Sequence, residues 1–141
     1  MSGKFFLDTN IFVYSFDARS PGKAASASKL IKRAIETRRG IVSYQVVQEF
    51  FNVALHRFAK PMTEPEARQY LSVTFRPLLS IHSSLGLCGD ALRVTSQFGY
   101  SWYDSLIIAS AISGECETLY SEDFQNGQRI ANLTISNPFL S

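Results

Sequence analysis

Residues 5–17 read FFLDTNIFVYSFD. The apolar run Phe5 to Leu7 leads directly into Asp8, and a second apolar run begins at Ile11. A buried carboxylate is costly unless another group compensates it, so this junction needs an explanation. In one interpretation, Asp8 caps the helix that begins near Ile11, and taken alone the residue favours this role. In the other, Asp8 faces a cleft and holds a cation.

The bulk composition is that of a folded protein. The chain has 141 residues, of which 45% are apolar and 18% charged, and its net charge is +2. This length predicts one domain spanning residues 1–141, and the composition excludes a disordered chain. The net charge does not identify a polyanion-binding protein, and local basic patches remain compatible with it.

No membrane or secretory segment is predicted. No apolar run reaches the roughly 18 residues needed to cross a bilayer, and Asp8 and Asn10 interrupt the apolar stretch near the start. Cys88 and Cys116 belong to no CxxC pair and do not make a zinc site, so we expect two buried free thiols. Free thiols are typical of a reducing compartment, which predicts a cytoplasmic protein.

Short apolar runs alternate with segments of helical periodicity along the chain. Strands are predicted at 5–7, 41–43, 78–82, 118–120 and 133–135, and helices at 24–39, 45–60, 63–75, 84–98 and 103–112. This alternation predicts an α/β fold with a parallel sheet covered by helices on both faces. In such sheets ligands bind outside the carboxyl ends of the strands, so functional residues are sought there.

The predicted helix boundaries depend on turn and capping residues. We expect a turn at Pro21-Gly22 before the first long helix and expect Gly40 to end that helix. Thr63 and Glu66 have the spacing of a capping box, which marks a helix start. Pro77 is expected to close the helix that follows, and Gly114 to end the last one.

Three of the five aspartates fall where the predicted sheet would place a site. Asp8 and Asp123 follow strands, and Asp104 opens a helix near the same edge. Asp17 and Asp90 are interpreted as a loop residue and a solvated helix residue. Glu49 lies at the margin of its helix's apolar stripe, so it faces either a cleft or water.

Several carboxylates in one cleft require compensation. Two of them about 4 Å apart repel by roughly 4 kcal/mol at an effective dielectric near 20. A divalent cation would relieve this repulsion, and oxygen-only ligands suit Mg²⁺ or Mn²⁺ better than zinc. His56, on the polar side of its helix, and His82, at a strand end, are not placed to serve as ligands.

Five segments together resemble one known family. These are FLDTNIFVYSFD, SYQVVQEFFNV, SWYDSLIIASA, LYSEDFQNGQRI and the closing ISNPFL. In this order and spacing, the chain resembles the PIN-domain ribonucleases, and more narrowly the toxins of bacterial VapBC toxin–antitoxin pairs. The resemblance covers nearly the whole chain.

The resemblance implies both an architecture and an activity. The fold would be a three-layer α/β/α arrangement with a five-stranded parallel sheet of order 3-2-1-4-5. The activity would be Mg²⁺- or Mn²⁺-dependent cleavage of RNA. The partners would be a cognate antitoxin that inhibits the site and a second copy of the toxin in a homodimer.

The resemblance also assigns residues. The acidic quartet, which would be both catalytic and metal-binding, maps onto Asp8, Glu49, Asp104 and Asp123. Ser121 would supply the small hydroxyl after the fourth strand, and Asn10 and Asn126 would be supporting polar groups. Glu122 adjoins Asp123 and would replace it if the loop turns differently.

Further residues are candidates for contacts with RNA or with the antitoxin. Trp102 and Tyr103 flank Asp104, where they would stack a base or pack against the protein. Residues that would contact phosphates, although each taken singly is better explained as solvated surface, are Lys29, Lys32, Arg33, Arg38, Arg39, Arg57 and Arg76. Residues that would form either the core or an apolar antitoxin groove are Tyr14, Phe16, Phe50, Phe51 and Phe58.

Two other function classes remain for comparison. A non-catalytic Mg²⁺-binding regulatory or RNA-binding module is the main alternative, but a receiver-like domain would have an acidic pair near the first strand and a Lys after the last. An aspartyl phosphatase would have a second Asp at position 10, where this chain has Asn10. Both classes are therefore disfavoured.

Overall fold

Six strands pair into one sheet in the computed structural model, which describes residues 3–140. In chain order the strands are β1 (Phe5–Leu7), β2 (Gly40–Ser43), β3 (Leu79–Ile81), β4 (Thr118–Tyr120), β5 (Arg129–Ile130) and β6 (Leu133–Ser136). The helices are α1 (Thr9–Tyr14), α2 (Pro21–Thr37), α3 (Tyr44–Ala54), α4 (Glu64–Tyr70), α5 (Arg76–Leu78), α6 (Leu85–Phe98) and α7 (Trp102–Ser113).

The sheet confirms the predicted parallel arrangement and adds one strand. Its order is β3-β2-β1-β4-β6-β5, and the five strands predicted from sequence pair in parallel in the expected order. The additional strand, β5, runs antiparallel to β6 at the edge, with Arg129 opposite Thr134. A strand of only two residues is too short to show an alternating apolar pattern, which is why the sequence did not predict β5.

Both faces of the central strands are covered by helices. All three residues of β1 are buried, and so are all four of β2. On one face Gly40 lies against Ala34 of α2, while on the other Ile41 approaches Gly114 at the end of α7. Successive strand residues point to opposite faces, so this contact pattern produces the layered arrangement that continuous apolar runs predict.

The boundaries of α2 differ from the predicted ones. The helix begins at Pro21 itself, because proline is well suited to the first helical turn, where its missing N–H is not needed. Arg38, with φ of 60°, takes the left-handed position that ends the helix. Gly40 instead opens β2, so the expectation that it ends the helix was wrong.

The middle of the chain is more broken than predicted. The α3 helix ends at Ala54 rather than near residue 60, and the backbone carbonyl of Ala54 accepts a hydrogen bond from Met62 N–H. The Thr63–Glu66 capping box is confirmed in both directions. After α4 the chain continues through a π-helical turn, Leu71–Phe75, into α5, so Pro77 does not close the helix but lies within the next short one.

Aromatic rings from α1, α3, α4 and the π-helical turn pack together. Phe50 is fully buried and contacts the rings of Phe12, Tyr70 and Phe75 at centroid distances of 6.4, 5.0 and 5.3 Å. Phe16 is 45% exposed but also contacts Phe50. These rings therefore mainly form the core that joins α1 to α3.

The cysteines and the helix lengths can be read directly from the structure. Cys88 and Cys116 are free thiols, with Cys116 buried and Cys88 half-buried. In the described part of the chain, no helix combines the length and apolar character needed to span a bilayer.

Replacing Gly40 by alanine should destabilise the fold. The added Cβ would lie 2.1 Å from the Cβ and 2.7 Å from the Cα of Ala34, and 2.9 Å from Phe5. Backbone of α2 or of the sheet must then shift, so we expect Gly40→Ala to lower the free energy of unfolding by about 1–3 kcal/mol in urea titrations.

Gly89→Ala is the matched control. Gly89 lies within α6 with open space around its Cα, so alanine there should leave stability unchanged or raise it by about 0.5–1 kcal/mol. Equal unfolding midpoints for Gly40→Ala and the unmodified chain would contradict the close packing of β2 on α2.

Candidate functional site

The pairing of β1 with β4 brings Asp8 and Ser121 together. Leu7 pairs with Tyr120, and the backbone N–H of Asp8 donates to the Tyr120 carbonyl at 3.1 Å. Asp8 and Ser121, the residues that directly follow these two strands, therefore lie next to each other. Ser121 Oγ donates to Asp8 Oδ2 at 2.7 Å. Both side chains are buried at the carboxyl edge of the sheet, where the alternation of strands and helices predicted a site.

Asp8 also caps α1. Its Oδ1 accepts a hydrogen bond from Thr9 N–H at 2.7 Å, and its side chain is the N-cap of the helix. The two interpretations of Asp8 from sequence are therefore compatible, because one oxygen caps the helix while the other meets Ser121. Asp8 is only 5% exposed, so these bonds fix its carboxylate rather than leave it free in solvent.

Ser121 and Asn10 connect Asp8 to Asp123. Asn10 Nδ2 donates to Ser121 Oγ at 3.2 Å and to Asp123 Oδ2 at 3.1 Å. The backbone N–H of Asp123 also donates to Ser121 Oγ, at 3.1 Å. A hydroxyl has one donor and two lone pairs, so Ser121 is fully used in orienting its neighbours.

Glu49 reaches the same edge from α3. Thr9 Oγ1 donates to Glu49 Oε1 at 2.7 Å, and Gln45 Nε2 donates to Glu49 Oε2 at 3.2 Å. Gln45 also donates to the backbone carbonyl of Tyr103 at 3.2 Å. Sequence reasoning missed Thr9 and Gln45 as functional residues, although Gln45 and Glu49 have the i, i+4 spacing at which helical side chains interact.

Asp104 is in the first turn of α7, next to Tyr103. Ser101 caps this helix, and its Oγ accepts a hydrogen bond from Asp104 N–H at 3.3 Å. Partial burial and the nearby charge of Asp123 raise the pKa of the Asp104 carboxyl, and a hydrogen bond between the Ser101 side chain and that carboxyl partly offsets this. The charge of Asp123 therefore acts on Asp104.

The four carboxylates of Asp8, Glu49, Asp104 and Asp123, which we call the carboxylate site, influence one another. Burial is the main cause that raises the pKa of Asp8 to about 7, and repulsion from Asp123 and Glu49 adds to it. The hydrogen bonds from Ser121 and Thr9 act in the opposite direction. Repulsion therefore links Asp8 to Asp123 and Glu49, and Asp104 to Asp123, although these residues come from distant parts of the sequence.

Glu122 points to a different cluster. Its two oxygens accept hydrogen bonds from Tyr14 Oη at 2.8 Å and from Lys23 Nζ at 2.9 Å. Asp123, by contrast, is bonded to Asn10. The loop therefore turns so that Asp123, not Glu122, faces the carboxylate site. Asn126 is apart from it and accepts a hydrogen bond from Asn137 N–H.

An open cleft of about 560 Å³ is lined by two residues of the carboxylate site, Glu49 and Asp123, whereas Asp8 and Asp104 are not in its wall. Arg19 also lines this cleft and pairs with Asp17 at 3.3 Å, so the cleft contains a cation that the sequence did not single out. The side chain of Arg33 packs on the rings of Phe5 and Tyr120. The basic residues named from sequence are on the exposed surface.

The donor chemistry of the carboxylate site fits a hard dication. Within residues 3–140, no three His, Cys, Asp or Glu side chains lie close enough together to hold a metal ion in the conformation described. The ligands available are nevertheless all oxygens, and the groups that shift the pKa of the buried Asp8 are neutral or acidic. A divalent cation is the group that would compensate such a carboxylate.

Comparisons with known proteins agree with this fold. Residues 5–131 match the sequence profile of the PIN domain. No curated protein sequence matches the chain significantly. Among solved structures, a toxin–antitoxin complex from Klebsiella pneumoniae is similar with a TM-score of 0.67 at 17% identity, covering 96% of this chain and 98% of that one.

Two further solved structures have the same fold. A VapBC2 complex from Rickettsia felis bound to a promoter DNA fragment gives a TM-score of 0.60 at 21% identity, covering 94% of this chain and 97% of that one. VapC20 from Mycobacterium tuberculosis, a toxin that cleaves the sarcin–ricin loop, gives 0.58 at 16% identity, covering 85% and 90%.

The raised pKa of Asp8 predicts a specific pH dependence of stability. The pKa is about 7 in the folded chain, against 3.8 for an ordinary Asp carboxyl. This group therefore stabilises the metal-free fold fully below about pH 4, and its contribution is lost as the pH rises through 7. We expect the Tm of the unmodified chain to fall relative to that of Asp8→Asn between about pH 4 and 7, in thermal melts with EDTA.

The control for this experiment is Asp90→Asn. Asp90 lies on the exposed face of α6, where it pairs with Arg93 at 3.5 Å, so its removal should leave the pH profile parallel to that of the unmodified chain. A constant difference in Tm between the unmodified chain and Asp8→Asn across this range would contradict the burial of a titrating carboxyl.

Proposed function

Because the chain belongs to the PIN domain family, we propose that it is a cytoplasmic endoribonuclease that hydrolyses RNA phosphodiester bonds with Mg²⁺ or Mn²⁺. The main support is the position of Asp8, which is buried at the carboxyl edge of the sheet and repelled by Asp123 and Glu49. Like charges held together favour either protonation or a compensating cation, and a bound dication would compensate them while also attracting the phosphate of a substrate.

The metal would be held by oxygens of the carboxylate site. In this proposal Asp8, Asp104 and Asp123 bind the cation directly or through water, and Glu49 binds a second cation or orients the attacking water. A bound metal of this kind lowers the pKa of water and neutralises charge that develops on the phosphate.

The uncharged neighbours of the carboxylate site have positioning roles in this proposal. Ser121 and Thr9 N–H hold the two oxygens of Asp8, and Asn10 directs Asp123. Each oxygen of Glu49 accepts one hydrogen bond, from Thr9 or from Gln45, which leaves further lone pairs for a water molecule. These bonds fix the carboxylates before substrate arrives, which is how a protein limits the cost of reorganisation during the reaction.

Substrate RNA would approach from the open cleft. Arg19 lies in its wall, and Tyr103 and Trp102 beside Asp104 are 64% and 37% exposed. Exposed aromatic rings stack unpaired bases, and cations neutralise the phosphate backbone, so this surface suits single-stranded or looped RNA better than a duplex.

We further propose that the chain is the toxin of a type II toxin–antitoxin pair and forms a homodimer. Of the similar structures, the Klebsiella pneumoniae and Rickettsia felis ones are toxin–antitoxin complexes. A mainly apolar groove of about 450 Å³ is available for an antitoxin segment; Phe51, Leu55, Ala67 and Leu71 line it together with the ion pair of Glu64 and Arg68. Leu55 and Leu71 are 37% and 41% exposed there. Such a groove would accept the apolar face of a helix.

Loss of one carboxylate should abolish cleavage. We expect Asp8→Asn and Asp104→Asn to reduce cleavage of a labelled single-stranded RNA by at least about 100-fold, because each removes a proposed metal ligand. The unmodified chain should lose activity in EDTA and regain it with Mg²⁺ or Mn²⁺. Circular dichroism would check that each variant is folded.

Two acidic residues outside the carboxylate site serve as controls. Asp90→Asn and Glu122→Gln, purified identically, should retain cleavage, since Glu122 is bonded to Lys23 and Tyr14. Wild-type turnover in Asp8→Asn would contradict the proposal. Metal-dependent RNA binding without any cleavage would instead favour the non-catalytic RNA-binding alternative.

Charged substitutions in the groove should weaken antitoxin binding. The probe is the proposed cognate antitoxin, purified separately and titrated into the chain by calorimetry. We expect Leu55→Glu and Leu71→Glu to weaken binding by about tenfold or more, because each would place an unpaired charge in an apolar contact. Leu92→Glu, on exposed α6 outside the groove, is the matched control. Equal affinities of all three variants would contradict this placement.

A further inference from the structure

A second cavity lies beside the carboxylate site and is not part of it. This recess, of about 190 Å³, is formed at the ends of β2 and β3 by the first turns of α3 and α6 and one side of α7. Residues in its wall include Ser43, Gln45, His82, Cys88 and Tyr103. Its volume is below the roughly 300 Å³ at which pockets for drug-sized ligands begin, so it suits a smaller group.

Ser43 is the unusual residue of this recess. Its side chain is 2% exposed, and in the part of the chain that the structure describes, its Oγ is the sole buried side-chain polar atom without a hydrogen-bond partner. Ser43 is the N-cap of α3, yet its hydroxyl does not cap the helix, as a serine in this position usually does. A buried hydroxyl without a partner costs free energy, so its retention in a cavity wall points to a ligand.

The backbone next to Ser43 is also irregular. The parallel pairing of β2 with β3 shifts register here: Val42 pairs with Leu79, whereas Ser43 pairs with Ile81. Such irregularities reorient a side chain at the end of a strand and are common beside functional sites. The register shift thus lies at the same residue whose hydroxyl does not cap α3.

The wall of the recess has the chemistry of a nucleobase site. Apolar side chains, Ile81, Leu87 and Leu106, form much of it, and none of the described residues that line it is acidic. Most of the other lining residues carry hydrogen-bonding side chains, among them Ser43, Gln48 and His82, which could meet the polar edge of a ligand. A nucleobase combines a flat apolar face with a polar edge, and the exposed ring of Tyr103 can stack on such a face.

The recess shares a wall with the carboxylate site. Gln45 lines the recess, and its amide donates both to Glu49 and to the backbone carbonyl of Tyr103. Tyr103 also lines the recess and directly precedes Asp104. A nucleotide whose phosphate lies at the carboxylates would therefore place a neighbouring base at the recess.

We propose that this recess binds one unpaired nucleobase of the RNA substrate, adjacent to the cleaved bond, and that the Ser43 hydroxyl reads the edge of that base. The inference rests on the proposed ribonuclease function and adds to it a site of base selection.

The first test measures base preference. RNAs that vary one nucleotide at a time around the mapped cut are compared by kcat/KM, and one RNA in the series lacks the base at the preferred position. Ser43→Ala removes one hydrogen bond to the base, so it should reduce the preference for that base by about 3- to 10-fold. Cys88→Phe, which fills the recess, should abolish the preference. Both variants should equal the unmodified chain on the abasic RNA.

Stability measurements separate this role from a structural one. Because the Ser43 hydroxyl has no partner in the fold, Ser43→Ala should have an unchanged or higher Tm. Ser96→Ala, an exposed serine on the outer side of α6, is the matched control and should change neither the Tm nor the preference. A lower Tm for Ser43→Ala with unchanged base preference would overturn the proposal.

A binding experiment independent of cleavage completes the test. The folded chain in EDTA is titrated with AMP, GMP, CMP and UMP, and amide NMR shifts are followed. Base-dependent shifts at Ser43, His82 and Tyr103 that disappear in Cys88→Phe would support the recess even if cleavage fails. Asp8-dependent cleavage with no such shifts, and with the same preference in Cys88→Phe, would overturn the recess while leaving the nuclease function intact.

Discussion

The hydrogen bond between Ser121 and Asp8 is the contact on which the candidate site depends. It joins the first residues after β1 and β4, two strands that are more than 100 residues apart in sequence and adjacent in the sheet. Because the hydroxyl donates to a buried carboxylate, it offsets part of the cost of holding a charge at the sheet edge. The same Ser121 oxygen accepts from Asn10 and from Asp123 N–H, so one side chain sets the relative positions of three others.

The surrounding charges are divided between two clusters. Lys23 and Tyr14 are bonded to Glu122, while Asp8, Glu49 and Asp123 are held by neutral donors from Ser121, Thr9, Gln45 and Asn10. A lysine bonded directly to the carboxylates would neutralise them and remove the need for a cation. The fold thus gives these carboxylates hydrogen-bond partners without neutralising their charge.

The aromatic core fixes the position of α1 relative to α3, the two helices that carry Thr9 and Glu49. Phe12 on α1 and Phe50 on α3 are both fully buried and contact each other and Phe75. Since Thr9 is on α1 and Glu49 is on α3, this packing holds the two ends of the Thr9–Glu49 hydrogen bond in place. Packing in the core and polar contacts at the sheet edge are therefore parts of one arrangement, and a cavity in the former would loosen the latter.

The sequence by itself determined the five parallel strands, the edge at which chemistry would lie and the candidate acidic residues, because these follow from local patterns: apolar runs, turn residues, and aspartates placed after strands. It did not determine that Arg38 would end α2, that Gly40 would lie under Ala34, or that the helix after Thr63 would pass through a π-helical turn. Nor did it decide between Glu122 and Asp123, or reveal the unpartnered hydroxyl of Ser43. Each of these depends on contacts between residues far apart in the chain, and only the tertiary structure fixes the distances over which close packing and hydrogen bonds act.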